Sequence, residues 1–327
     1  MNRESFIRNR RDDWSQLEVL LSRLQSIRPS NWTSADISVL ARLYRGVCYD
    51  LSLVQSREWG ARLEQYLNDL VAQGHSCLYR SPPQSLSAVW SFFAVGFPQL
   101  FRRRWRPFVL ALSLFVIPFV AALWAGYARP DLAALVMDSK QLDDAIRMYS
   151  RELYADIDNV YVEQRSGMAG FYVMNNTGIA FQAYALGILC GVGTCFILLS
   201  NGIGIGMVMG AILAAGPPAS GHFTSFVISH GSFELTAIVI SGAAGLVLAQ
   251  GLLMPGQRTR IDSLRFHGRE SLQLALGAGG MLFIAALLEG YFSPLPIAAT
   301  IKYTVGSGLW LLVASYLAFA GRERTTA

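Results

Sequence analysis

SGMAGFYVMNNTGIAFQAYALGILCGVGTCFILLSNGIGIGMVMGAILAAGPPASGHFTSFVISHGSFELTAIVISGAAGLVLAQGLLMPGQ, residues 166–257, contains one side chain with a fixed charge, Glu234. Soluble chains carry about one charged residue in four. A stretch of 92 residues with a single charge belongs in hydrocarbon, where about 20 apolar residues cross as a helix. The fold class is therefore an all-α, polytopic membrane helix bundle. The whole composition agrees, with 53% hydrophobic against 15% charged residues and a mean hydropathy of +0.36. It excludes a disordered chain, a secreted disulfide scaffold and a soluble cytoplasmic enzyme. Cys48, Cys77, Cys190 and Cys195 contain no CxxC pair, so reduced thiols are expected.

The charges on either side of this stretch give a topology. Residues 1–106 hold 15 Arg and 9 Asp/Glu, a balance of +6, and end in Arg102, Arg103, Arg104 and Arg106. Residues 107–128 follow with no charge at all, and residues 129–165 then carry five basic and eight acidic side chains. A second basic cluster, Arg258, Arg260, Arg265 and Arg269, follows residue 257. The positive-inside rule places both basic clusters in the cytoplasm, so an even number of crossings separates them. Spans are expected near 107–128, 177–200, 203–215, 226–252, 271–291 and 300–320. The segment 203–215 is short enough to be broken or re-entrant. About six spans with both termini cytoplasmic is the first reading; four or five spans with re-entrant segments is the alternative. The arrangement becomes a cytoplasmic helical region 1–83, an interfacial amphipathic helix 84–106, a transmembrane bundle 107–321 with an extracytoplasmic helical excursion 129–175, and a cytoplasmic tail 322–327. No signal peptide is visible, so insertion is expected to begin internally.

Outside the bilayer the periodicity is helical. Trp14, Leu17, Leu21 and Leu24 recur every three or four residues, as do Ile37, Leu40, Tyr44, Val47 and Leu51, then Trp59, Leu63, Tyr66 and Leu70. Pro29, Ser30 and Asn31 separate the first helix from the second, and Thr33 with Asp36 resembles a capping box. The three helices are a docking module for a cytoplasmic partner or a self-packed bundle. Leu86, Trp90, Phe93, Phe97 and Leu100 form an apolar stripe that can lie on the lipid surface, with Arg102, Arg103, Arg104 and Arg106 near anionic headgroups; packing on the helical bundle is the other reading. Leu142, Ile146, Tyr149, Leu153 and Ile157 predict an outer helix that caps the bundle or presents a face to an envelope protein.

Inside the membrane, Gly187 and Gly191 form one GxxxG, and Gly202, Gly206 and Gly210 form two more; with Gly242 and Gly245 they predict close helix packing. Such faces also suit a homodimer or other homo-oligomer, and glycine at this density permits broken helices lining a transport cavity. Glu234 needs a partner or a proton, because an acidic side chain near a helix centre is costly in lipid. His230 lies one turn earlier on the same face. By depth, Glu289 and Lys302 fall in the same half of the bilayer, so His230, Glu234, Glu289 and Lys302 are an intramembrane polar site: a proton- or ion-responsive centre, or an ion-paired structural core. No third residue has metal-ligand spacing beside His230 and Glu234, so no metal or other cofactor is expected. Ser232 next to His230 does not make a hydrolase without an oxyanion hole, no phosphate-binding loop is present, and the +5 net charge is accounted for by topology without nucleic acid.

The run His230-Gly231-Ser232-Phe233-Glu234-Leu235-Thr236-Ala237-Ile238, followed by Gly242, Ala243, Ala244, Gly245 and Leu246, resembles the signature of the stage II sporulation protein M family of integral membrane proteins. Asn175, Asn176, Gly187, Gly191, Gly193, Thr194, Asn201 and Gly202 repeat the family's order of small and amide residues. Family members often carry proline where Ser229 and Thr236 stand here. The sporulation members also lack so long a cytoplasmic helical region, so this chain looks like the broader, non-sporulation branch. The resemblance implies a non-enzymatic scaffold or anchor in the bacterial cytoplasmic (inner) membrane, serving a peptidoglycan-linked complex. The partners it implies are a wall-active protein or a MoxR-type ATPase system. The alternative function is a permease or channel-like component working with a separate ATPase through His230 and Glu234.

Overall fold

The computed structural model of the chain describes residues 2–26, 32–78, 86–150 and 162–322, and every regular element among them is helical. The chain divides into two compact units, Met1–Leu86 and Ser87–Ala327.

The first unit is a three-helix bundle of α1 (Arg3–Ser26), α2 (Ser34–Ser56) and α3 (Ala61–Leu78). Its core takes most of the residues whose spacing predicts it, with Trp14, Leu17, Leu21 and Leu24 from α1, Leu40 and Val47 from α2, and Leu63 and Leu70 from α3, and adds Leu43 and Leu67. Ile37 and Tyr66, which the same spacing puts on the inner face, are instead exposed. Asp50 is buried with them because it is fully occupied. It accepts from Trp14 Nε1 at 2.8 Å and from Arg10 Nε at 2.8 Å. Helix α2 starts where the capping box predicts: Asp36 N–H donates to Thr33 Oγ1 at 3.1 Å, and Asp36 Oδ2 accepts from the Thr33 backbone N–H at 3.0 Å. Those bonds, from the backbone and then the hydroxyl of Thr33, hold the Asp36 carboxyl below its ordinary range. Replacing an N-cap threonine by alanine costs about 1 kcal/mol. In a Thr33→Ala protein, amide exchange over α2 is therefore expected to accelerate several-fold, with the membrane helices unchanged, as read by hydrogen–deuterium exchange. The break expected at Pro29, Ser30 and Asn31 lies outside the described residues.

The second unit begins with a helical run through α4 (Leu86–Ser91), a π-turn (Phe92–Gly96) and α5 (Phe97–Arg103). The aromatic stripe expected to lie on lipid divides here: Leu86 and Trp90 are exposed, while Phe97 and Leu100 are buried in the bundle core. Phe93 and Phe97 lie over Gly280 and Gly277, whose missing side chains leave the room. Then follow α6 (Trp105–Ala128), α7 (Ser139–Ser150), α8 (Val162–Ala185), α9 (Val192–Ala214), α10 (Ala219–Ile228), α11 (Gly231–Leu253), α12 (Arg260–Leu287, running through a π-turn to Phe292) and α13 (Ala299–Phe319).

Among the described residues four helices are long and apolar enough to cross a membrane: Trp105–Ala128, Val192–Ala214, Gly231–Leu253 and Arg260–Phe292. The expected count of six is not reached. Helix α8 carries Asn175, Asn176, Thr177 and Gln182, and α13 opens with Thr300, Lys302, Tyr303 and Thr304, so neither sustains an apolar window of that length. The boundaries differ too. The expected span 177–200 is cut by a turn at residues 186–191, because Cys190 and Gly191 take positive φ values of 53° and 83°. The segment 203–215 is consequently not a short broken helix but the end of α9. The expected span 226–252 is likewise interrupted, with α10 ending at Ile228 and α11 starting at Gly231.

The glycine faces are spent within the chain. Side chains at Gly202, Gly206 and Gly210 on α9 would collide with the carbonyl oxygens of Phe115, Phe119 and Leu123 on α6, and one at Gly126 on α6 would collide with that of Met207. The turn at Gly187 touches the backbone of α11 at Gly245 in the same way, and Gly242 accommodates Leu198. A second copy of the chain therefore finds no glycine stripe on α9 left open.

Helix α7 folds over α10: Leu142 and Tyr149 are buried, the Tyr149 ring lies 5.0 Å from Phe223 and 6.0 Å from Phe226, and its carbonyl bonds His222 Nδ1 at 2.8 Å. Leu153 and Ile157 lie outside the described residues.

Candidate functional site

At one end of α11 four buried polar side chains, His230, Glu289, Ser293 and Lys302, come together with Glu234. Helix α10 stops at Ile228 without a proline, and His230 takes the N-cap position of α11 with φ −122°. Glu234 follows in the first turn of α11, where unpaired backbone N–H groups favour a carboxylate. Opposite, α12 widens into the π-turn Leu288–Phe292, which carries Glu289 inward and ends on Ser293, whose N–H donates to Leu288 O at 2.8 Å. Helix α13 lies close because Gly306 sits against the carbonyl of Ile228. Lys302, one turn before Gly306 on the same face, reaches back to donate to Ser293 O at 2.7 Å.

The four residues predicted as a polar site are thus brought together, with Ser293 added. His230 Nδ1 lies 3.0 Å from Ser293 Oγ, and His230 Nε2 lies 3.6 Å from Glu234 Oε2. The second distance is beyond a hydrogen bond, so Glu234 does not orient the ring as the acid of a catalytic triad does. His230, Glu289 and Lys302 are 4%, 7% and 5% exposed. One ligand-capable atom from each of His230, Glu234 and Glu289 lies within 4.8 Å of the other two. Spacing along the chain could not show the third ligand-capable residue, since Glu289 comes from a different helix. Ser293 carries no signal in the sequence beyond being a small polar residue in a proline-rich turn. The buried Ser232 hydroxyl has no partner among the described residues, and His230 pairs with Ser293 rather than with it.

The opposite end of α11 holds the arginines. Arg102 donates to Leu317 O at 3.0 Å and Ala320 O at 2.8 Å, capping the last carbonyls of α13. Arg103 donates to Glu270 Oε1 at 2.6 Å, and Arg104 Nε donates to Glu270 Oε2 at 2.8 Å. Arg106 lies over the Trp105 ring at 5.7 Å. Arg103, Arg104 and Arg106 border an open cavity of about 920 Å³ with Cys190, Gln250 and Met254. Sequence reasoning missed Glu270, whose signal was an acidic residue among arginines at the head of an apolar run. The polar cluster and this basic pole are about 30 Å apart along α11 at 1.5 Å per residue.

Two of the remaining motif residues, Thr194 and Asn201, hold backbone carbonyls. Thr194 Oγ1 donates to Ala183 O at 2.7 Å across the turn between α8 and α9, and Asn201 Nδ2 donates to Ile197 O at 2.9 Å within α9. Asn175 Nδ2 donates to Asn176 Oδ1 at 3.1 Å on α8, in an exposed setting. Gly231 opens α11.

Helices of this length and hydropathy, packed backbone to backbone around a buried ionisable cluster, define a polytopic α-helical membrane protein. The chain belongs to the Stage II sporulation protein M family, whose pattern matches residues 108–294. Residues 4–80 separately match a family described as a domain of unknown function (DUF8413), which coincides with the first unit. An uncharacterized protein of Methanocaldococcus jannaschii is 28% identical over 121 residues, covering 37% of this chain and 67% of that protein. No solved structure matches the chain.

Proposed function

We propose that the protein is a non-enzymatic scaffold of the bacterial cytoplasmic membrane, anchoring a peptidoglycan-linked complex of the cell envelope through its first unit. The observation that carries this reading is the division of labour within the first unit. Its three helices close their own core, yet a groove of about 360 Å³ remains between α1 and α2, lined by apolar Val19, Leu20, Val39 and Leu43 with Arg23 at its side. Val19 is 68% exposed there, an arrangement suited to the apolar face of a partner helix. Family membership supports the envelope setting, with a wall-active protein or a MoxR-type ATPase system as the partner sought and the termini on the cytoplasmic side.

Mild solubilisation of the protein at native abundance, followed by mass spectrometry of what travels with it, tests this. A specific envelope or ATPase partner is expected with the full chain, and its loss is expected both on deleting residues 1–78 and in Val19→Glu, with membrane abundance unchanged. A partner retained by the deletion sinks the reading.

A permease or channel-like component is the second reading, favoured by the buried cluster around Glu234. It requires that Glu234→Gln abolish flux in liposomes while the protein still accumulates; equal loss of both makes the residue structural.

A further inference from the structure

We propose that His230, Glu234 and Glu289 bind a divalent first-row transition-metal cation inside the bundle. The site is independent of the scaffold reading, and it would supply the ion class for the permease reading.

Two carboxylates lie close together, each with an oxygen that lacks the partner a buried carboxylate needs. Oε2 of Glu234 and Oε2 of Glu289 have no hydrogen-bond partner among the described residues, and Glu289 is only 7% exposed. Buried charges are paired or coordinate a metal. The one amine nearby, Lys302, is held by Ser293 O at 2.7 Å and makes no ion pair with either carboxylate among the described residues. A divalent cation placed between the two glutamates balances both charges and satisfies both free oxygens.

The histidine is set up to join them. With its proton on Nδ1, directed to Ser293 Oγ at 3.0 Å, the ring presents the Nε2 lone pair toward Glu234 Oε2, 3.6 Å away. Two ligands of one tetrahedral ion, each about 2.0–2.1 Å from it, stand about 3.4 Å apart. The pair is thus too far apart for a hydrogen bond and close to the spacing of shared ligands. Ser293 then acts as the hydrogen-bonded support that fixes ring orientation in metal sites. The three ligand atoms, all within 4.8 Å of one another, draw together by rotation of the glutamate side chains. The ligands come from two independent backbone irregularities, the α10–α11 break and the α12 π-turn, and π-turns of this kind recur at functional sites.

One imidazole nitrogen and two carboxylate oxygens suit zinc, manganese or iron(II). Copper(I) prefers sulfur, and magnesium and calcium prefer oxygen alone. Three protein ligands leave a coordination position open for water or a second ligand.

The test uses tag-free, full-length protein in detergent, stripped with a chelator and titrated with Zn²⁺, Mn²⁺ and Mg²⁺, with Co²⁺ as a visible-absorbance probe. One Zn²⁺ or Mn²⁺ per chain is expected, with Mg²⁺ much weaker and Co²⁺ giving bands of nitrogen and oxygen coordination without sulfur charge transfer. Glu289→Gln and His230→Gln are expected to weaken binding at least tenfold, and Ser293→Ala about tenfold. His267→Gln, on the other end of the bundle, should leave binding unchanged. Failure of the wild-type protein to bind one ion, or binding that survives both Glu289→Gln and His230→Gln, overturns the site. If those variants do not accumulate, the wild-type cobalt spectrum decides, and bands that report sulfur ligands or only water overturn it. Partner capture reads the first unit and is unaffected by either result.

Discussion

Glu270→Ala is expected to destabilise the membrane unit by about 3–5 kcal/mol, the cost of leaving a buried charge without its partner. Glu270 holds the basic pole together: it takes Arg103 and Arg104 at once, and it is itself nearly enclosed, with its side chain 10% and that of Arg104 17% exposed. Removing it strands the Arg104 guanidinium beside Gln250 at the mouth of the bundle. Arg103, with its side chain 65% exposed, stays in contact with solvent or headgroups, so Arg103→Ala should cost less than about 1 kcal/mol. The measurement is the unfolding midpoint in detergent together with membrane abundance. Replacing Glu270 and Arg104 together with apolar residues is expected to recover much of the loss, because neither charge is then left alone. Wild-type melting of Glu270→Ala would show that the pair does not fasten these helices.

Gly206→Leu should be almost as damaging, and Gly204→Leu on the same helix should be nearly silent. A side chain at Gly206 runs into the Phe119 carbonyl, whereas one at Gly204 meets no atom within 4 Å. Backbone cannot move aside as a side-chain tip can, so α6 and α9 must separate. Overpacking of this sort costs about 1–3 kcal/mol or more. Equal behaviour of the two variants, judged by abundance and by cross-linking between α6 and α9, would mean that this seam does not hold the bundle.

What could be read from sequence was local. The Thr33–Asp36 capping box and the leucine periodicity of α1 to α3 involve residues three or four apart, and the structure places them as that spacing requires. Hydropathy reads through what is not local. The turn at residues 186–191 lies inside an apolar run and differs from helix only in Cys190 and Gly191 crossing to positive φ. The break at Ser229–His230 has no proline to announce it. Gly202, Gly206 and Gly210 were visible as a close-packing face, but nothing in their spacing says that α6, rather than a second copy, fills it. The polar site was partly legible: depth arguments bring Glu289 and Lys302 level with Glu234, while the orientation of Glu289 depends on a π-turn and the role of Ser293 on both loop geometry and α13.

The seam between α6 and α9 joins helices that are not neighbours in the chain. A ribosome making about 5–20 residues per second needs several seconds to pass from Ala128 to Val192, and longer to finish α9. Throughout that interval α6 waits in or beside the membrane with the backbone carbonyls of Phe115, Phe119 and Leu123 on a face that its glycine-lined partner has not yet arrived to cover. Biogenesis of this protein therefore has a built-in vulnerable period. Its yield should depend on whatever insertase or lipid environment shelters that face, and slowing synthesis after Ala128 should lower accumulation more than an equal delay placed after Ala214.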